Sequence, residues 1–213
     1  MVDAEGGIRP GYRIISEWLD ATPKEVLVQK QREAELLYRR IGITFAVYGA
    51  EGGSERIIPF DIIPRIVPAA EWETLESGIK QRITALNMFV DDVYNDQKIL
   101  KDKVIPESLV LSSDCYLKQC CGLRPPKGIW IHISGVDLVR DGDGAFYVLE
   151  DNLRCPSGIS YVLQNRAVQK RTFPKAFQAM RTRPVSDYGD HLYDTLCHVA
   201  PDGVENPNVI VLT

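Results

Sequence analysis

Asp137 and Glu150 stand thirteen residues apart on either side of the turn-forming tetrad Asp141-Gly142-Asp143-Gly144, and Asn152 lies two residues beyond the second acid. The runs VDLV and FYVL that flank the tetrad predict a β-hairpin. A two-residue loop at Asp141-Gly142, Gly142-Asp143 or Asp143-Gly144 sets Asp137 across from Phe146, Val148 or Glu150, respectively. Each of these even loops keeps Asp137 on the sheet face of Glu150, and of Asn152 if the strand continues, because side chains alternate with period two. Two carboxylates and an amide oxygen then aim the same way. Like charges on one face repel, and a hard divalent ion such as Mg²⁺, which takes one or two carboxylates and completes its octahedron with water and phosphate oxygens, would relieve them. The simpler alternative leaves both acids solvated on the exposed face of an ordinary Asp/Gly hairpin.

The segment Arg154-Cys155-Pro156-Ser157-Gly158 follows at once. Pro-Ser-Gly ahead of an amphipathic run offers a helix N-terminus, whose free N–H groups at Ser157 and Gly158 suit an anion. The Arg154 guanidinium suits negative charge that builds during phosphoryl transfer. An N-cap and a surface salt bridge explain the same residues without a ligand.

The elements that must position these groups are readable to different depths. Thr22-Pro23-Lys24-Glu25 has the form of a capping box with Pro at the first helical position, opening a helix that runs through Arg40 and stops at Gly42. ITFAVY (43–48) reads as a strand, Ala50 to Glu55 as a turn, and RIIPFDIIPRIVP as a proline-punctuated extended segment. From Ala69 to about Tyr94, Trp72, Leu75, Ile79, Ile83, Leu86 and Val90 recur at helical steps. Lys103 to Gly128 reads as short elements around Pro125-Pro126. GIWIHIS predicts a strand before the hairpin, the chain after Pro156 turns helical in pieces up to Val199, and NVIVLT is β-like. Strands and helices alternate without a strict βαβ rhythm, which favours an α+β fold.

Composition excludes several classes. With 213 residues, 25 Lys+Arg against 29 Asp+Glu and 45% apolar residues, the chain has the make-up of a globular protein with a net charge of −4. Its basic residues form no stripe with interleaved aromatics, which argues against nucleic acid. No apolar run approaches the roughly 18 residues of a membrane span, and the polar start MVDAEGGIRP is no signal peptide; the expected compartment is the cytoplasm. Five cysteines without a CxxC pair and three histidines without HExxH spacing offer no structural zinc site, and thiols in a reducing compartment are the expectation.

The hairpin resembles the metal-binding hairpin of ATP-grasp enzymes, in which an Asp on one strand is followed thirteen residues later by the Glu of an ExN motif. ITFAVYG, ERIIPFDIIPRIVPAAEW, QRITALNMFVDDVYNDQKIL, GVDLVRDGDGAFYVLEDNLRCPSGISYVLQNR and NVIVLT resemble the N-terminal part of the circularly permuted ATP-grasp type 2 family, a glutathionylspermidine-synthetase-like group. The resemblance implies an ATP-grasp-like α+β fold, mostly antiparallel sheet with flanking helices and here incomplete. It spans 1–213, with a helical N-terminal segment at 1–42 and the metal-binding portion at 43–213. It also implies an ATP-dependent carboxylate–amine ligase that forms peptide or amide bonds through an acyl-phosphate and needs no covalent enzyme nucleophile. Asp137, Glu150 and Asn152 would hold Mg²⁺ against the ATP phosphates, and Arg154 would meet the transferred phosphoryl. Ser157, Gly158 and Arg166 are the further nucleotide-side residues, with Asn165 and Arg166 of the QNR motif also placed to orient metal ligands. Arg56, Arg65 and Arg82 fall in family-like motifs, either facing the cleft or paired with Asp61 and Glu71. Relatives continue with Pro-Gly and a second large segment, so a C-terminal half or partner chain is expected to supply the rest of the nucleotide site. Cys155 stands where relatives often carry Thr, and Cys120-Cys121 lies in a section that matches poorly. The alternative is a truncated non-catalytic module that serves partner binding or oligomerisation.

Overall fold

The computed structural model describes residues 1–3, 5–42, 44–46, 55–57 and 59–211. In chain order its regular elements are α1 (Arg13–Asp20), α2 (Lys24–Ile41), β1 (Thr44–Ala46), β2 (Glu55–Ile57), α3 (Ala69–Tyr94), α4 (Lys98–Lys101), α5 (Glu107–Leu111), β3 (Gly135–Arg140), β4 (Phe146–Asn152), α6 (Ile159–Thr172), α7 (Pro174–Ala179) and α8 (Tyr188–His198). This is an α+β fold with two small antiparallel sheets, β1–β2 and β3–β4, among the described residues. Two compact units divide the chain, one of 1–69 with 158–186 and one of 70–157 with 187–213. The predicted helical segment 1–42 falls wholly in the first, and 43–213 contributes to both.

The first unit is held by two apolar clusters. Ala34 and Tyr38, four residues apart on one face of α2, are buried against Phe60, Ile62 and Val168 of α6, with the Tyr38 and Phe60 rings 4.9 Å apart. Gln31 Nε2 donates to the Phe60 carbonyl at 2.5 Å, which ties the proline-rich segment to α2. In the second cluster Ile15 of α1 packs on Phe173 and on Ala176 of α7. Gly42 ends α2 in the left-handed region, at φ 73°. The capping box at Thr22 does not form: Pro23 occupies the N-cap position, and Thr22 Oγ1 donates 2.5 Å back to the Trp18 carbonyl. Only a short link joins α1 to α2, so the hydroxyl reaches the frayed last turn of α1 before any N–H of α2.

In the second unit the α3 helix has the predicted bounds, yet Val93 is its one buried side chain. Its polar stripe Asn87, Asp91 and Asn95 organises the loop-rich chain that follows. Asn87 Oδ1 accepts the Trp130 and Ile131 N–H groups at 2.8 and 3.2 Å, and its Nδ2 donates to the Gly128 carbonyl. Asp91 accepts the Trp130 indole N–H at 2.9 Å. Tyr94 stacks on both Tyr116 and Trp130 at 5.3 and 5.2 Å. These bonds overturn the predicted strand GIWIHIS: its backbone polar groups are satisfied by a helix side chain instead of a sheet ladder. Residues 208–211 of NVIVLT are likewise irregular and have no strand partner among the described residues; Ile210 and Val211 are exposed. The predicted turn at 50–54 and the last residues of the first predicted strand, Val47 and Tyr48, lie outside the described residues. No described helix is long and apolar enough to cross a membrane, and all five cysteines are free thiols.

Candidate functional site

The β3–β4 hairpin decides where the acids point. Its loop is not the expected two-residue turn but the five residues 141–145, closed by the Asp141 N–H on the Ala145 carbonyl at 2.9 Å. Asp141 and Asp143 spend one carboxylate oxygen each on backbone N–H groups of that loop, at 2.7 and 2.8 Å. An odd loop alone would put Asp137 and Glu150 on opposite faces. A bulge at Leu149 inserts one more residue into β4, and beyond it the pairing is Asp137↔Glu150, Val136↔Asp151 and Gly135↔Asn152. Asp137 therefore directly opposes Glu150, the register of an Asp143-Gly144 turn reached by another route.

Asn152 shares this face, since its Nδ2 donates to Glu150 Oε1 at 2.8 Å. Asp137, Glu150 and Asn152 are all exposed. Neither carboxylate has a cationic partner among the described residues. The neighbouring acid on the opposite face is treated differently. Asp151 receives a forked bond from Arg82 of α3, with Nε at 2.8 and 2.9 Å and Nη2 at 2.6 Å, and the guanidinium holds its carboxyl below the usual carboxylate range. Arg82 is thus a structural partner of the hairpin, and its expected partners are otherwise engaged: Glu71 pairs with Arg140, whose guanidinium lies 4.3 Å over the Phe146 ring, and Asp61 accepts the Ile63 N–H at 2.8 Å. Between these two ion pairs, a cleft of about 990 Å³ separates α3 from the hairpin, lined by Leu75, Ile79, Leu86, Leu138, Phe146 and Val148. Of the apolar stripe predicted on α3, Leu75, Ile79 and Leu86 line this cleft, and Trp72, Ile83 and Val90 do not.

The Arg82–Asp151 pair gives a pH dependence with a definite sign. Because the folded pKa of Asp151 is depressed, the stability from the pair is complete above about pH 4, the ordinary Asp range, and is lost as the pH falls through the lowered pKa. Thermal melts of wild type and Asp151→Asn from neutral to acid pH should differ most at neutral pH and converge in acid.

Arg154 and Ser157 are exposed, and their side chains make no hydrogen bond or ion pair among the described residues. Gly158 caps α6 from the left-handed region, at φ 95° and ψ −1°, with no side-chain cap bond; its carbonyl takes the N–H groups of Tyr161 and Val162. Only glycine holds this conformation cheaply, so Gly158→Ala is expected to cost about 1 kcal/mol in urea denaturation. Asn165 and Arg166 meet first-unit groups: Asn165 Oδ1 accepts the Tyr38 hydroxyl, and Arg166 donates to the Arg183 carbonyl. Arg56 lies on β2, and its side chain is outside the described residues.

Asp137, Glu150 and Asn152 thus share one face through register, whereas Arg140–Glu71, Asp151 and the Asn87/Asp91/Asn95 stripe are not foreseen; the stripe's spacing of four is the available signal. Among the described residues no three His, Cys, Asp or Glu side chains converge. The donors present, two unneutralised carboxylates and an amide oxygen, are hard oxygens that fit Mg²⁺ with water and phosphate completing its shell.

The sequence model of the circularly permuted ATP-grasp type 2 family matches residues 64–213. The chain belongs to this family. Among the relatives of the chain, an uncharacterized protein of Synechocystis is 49% identical over 99% of this chain and 44% of its own length. An uncharacterized protein of Mycobacterium tuberculosis is 44% identical over the whole chain and 38% of its own length. A Frankia alni protein provisionally named glutamate–cysteine ligase 2-3 is 38% identical over the whole chain and 25% of its own. This ATP-grasp chain therefore spans less than half the length of each of these relatives.

Proposed function

We propose that the chain is the Mg²⁺-bearing part of an ATP-dependent carboxylate–amine ligase of the cytoplasm, with a C-terminal half or partner chain completing its nucleotide site. The observation that carries this reading is the in-register opposition of Asp137 and Glu150, two acids left without a cation on a family chain while Asp151 beside them is neutralised. Family membership and the ligase name of the Frankia relative support it. In this reading Asp137, Glu150 and Asn152 hold the metal, which when bound offsets the charge of the ATP phosphates. Arg154 meets the phosphoryl group as it passes to a carboxylate, and the N–H groups at Ser157 and Gly158 receive phosphate oxygens, with Arg166 assigned to the nucleotide side. An amine then displaces phosphate from the acyl-phosphate, and the protein supplies position and electrostatics. The test is calorimetric titration with Mg·ATP, followed by phosphate release on a panel of carboxylates and amines, for the chain alone and with the remaining segment of a long relative added in trans. Metal-dependent binding and turnover that needs both substrates is the expected result. A folded assembly with neither overturns the reading.

A second reading, a non-catalytic module for partner binding or oligomerisation, is favoured by Val139, Tyr147 and Leu149, which are 43%, 52% and 69% exposed on the hairpin that carries the acids. Sedimentation separates the two: a concentrated monomer with full turnover in the assembled protein removes it.

A further inference from the structure

The first unit contains a cavity of about 590 Å³ whose lining includes Arg166, the one residue there that the ligase reading assigns to the nucleotide side. One wall is a face of α6: Val162, Asn165, Arg166 and Gln169 follow the spacing i, i+3, i+4, i+7. Met1, Tyr12 and residues 59–61 and 63–65 line the rest.

Apart from the Asp61 carboxylate, most polar side chains of this lining keep donors unspent. Tyr38, buried in the core and held protonated because burial raises its pKa, gives its hydroxyl proton to Asn165 Oδ1, which fixes the amide with Nδ2 free. Tyr12 is buried, and its hydroxyl oxygen accepts the Ile66 N–H at 2.9 Å, so its own proton has no acceptor among the described residues. Gln169 spends no side-chain hydrogen there either. Arg65 has no partner among the described residues, and Arg166 has only the Arg183 carbonyl and the Phe177 ring at 5.8 Å. Burial without a carboxylate pushes the Arg166 guanidinium down from its usual range. Arg166, half-buried and with spare N–H groups, stands beside two amides and a phenol, a set of donors open to an acceptor supplied from solution.

We propose that this cavity binds the free carboxylate of an amino-acid- or peptide-sized molecule. Arg65 and Arg166, with the Met1 amino group, outweigh Asp61 on the same lining, and this net positive charge suits a carboxylate. The apolar part of the lining, with Ile63, Pro64 and Val162, suits a carbon skeleton attached to that group. The proposal rests on the ligase reading only for the ligand's use, as a substrate recognised through a carboxylate; affinity for it is a property of this cavity alone.

The test is an NMR titration of the 213-residue chain with N-acetylglycine, with glycylglycine and with inorganic phosphate, without metal or nucleotide. Saturable shifts of the Asn165 and Gln169 side-chain amides with the two carboxylates are expected, with phosphate weaker than either. Arg65→Ala, an exposed residue whose loss breaks no bond of the fold, should weaken carboxylate binding about tenfold, the scale of one charge-assisted bond. Lys103→Ala, an exposed lysine of the other unit, should leave it unchanged. No saturation by either carboxylate, equal affinity in Arg65→Ala, or preference for phosphate overturns the proposal. Because nucleotide is absent throughout, failure of Mg·ATP binding and failure of this cavity are scored separately.

Discussion

Glu150→Gln is expected to make the metal-free protein more stable while destroying its metal-dependent nucleotide binding. The two signs follow from one geometry. Without a cation, Glu150 faces Asp137 across the strand pair, and like charges directly opposed destabilise a sheet by about 0.2–1 kcal/mol. Glutamine relieves that repulsion and still offers a carbonyl oxygen to Asn152 Nδ2, so the local hydrogen bond survives. With Mg²⁺ and ATP present, the same substitution removes one of two carboxylate ligands and should weaken binding by at least about 100-fold. Urea denaturation without metal and calorimetry with Mg·ATP read the two effects independently. A variant less stable than wild type would show that the acids are stabilising surface groups, and undiminished binding would remove Glu150 from the site. Such opposition of stability and function is the usual cost of a charged site held ready for its ligand.

The largest loss of stability is expected at Phe173, a buried residue with no proposed ligand role. Its φ of −142° and ψ of 69° break the helix between α6 and α7, and its side chain, 2% exposed, fills the space between Ile15 and Ala176 with the Trp18 ring 5.4 Å away. Phe173→Ala should cost about 3–5 kcal/mol, because the cavity adds to the lost burial, a large part of the roughly 5–15 kcal/mol that holds a typical domain. Phe173→Leu keeps most of the volume and should cost less than about 1.5 kcal/mol. Leu109, 68% exposed, is the control, and its alanine variant should change stability by no more than about 0.5 kcal/mol. Urea denaturation followed by tryptophan fluorescence measures all three. A Phe173→Ala loss under about 1.5 kcal/mol would mean that the surrounding side chains close the cavity.

Local signals in the chain were readable where local physics decides. The 26 residues of α3 follow from apolar recurrence, and Gly42 stops α2 because it alone reaches the left-handed cap without strain. The shared face of Asp137, Glu150 and Asn152 was legible for a related reason: alternation is a property of the strand itself. What failed depended on partners distant in sequence. GIWIHIS has the composition of a strand, but Asn87, about forty residues earlier, takes its backbone groups. The Asp/Gly tetrad is good two-residue turn chemistry, yet side chains of Asp141 and Asp143 satisfy a wider loop equally well. Arg82 and Glu71 were weighed as cleft residues or as partners of nearby charges, and each instead found its counter-ion on the hairpin, 69 residues away in sequence.

The bulge at Leu149 separates the tip of the hairpin from its base. Between tip and base the pleat changes phase once, so the side-chain direction at the open end is set by the combined count of loop and bulge, not by the loop alone. A one-residue change at the tip can be absorbed by gaining or losing the bulge, and the acids at the base keep their heading. A single-residue change of loop length in this hairpin, matched by the bulge, thus leaves the carboxylates in line, much as a slipping clutch lets one shaft turn while the other holds.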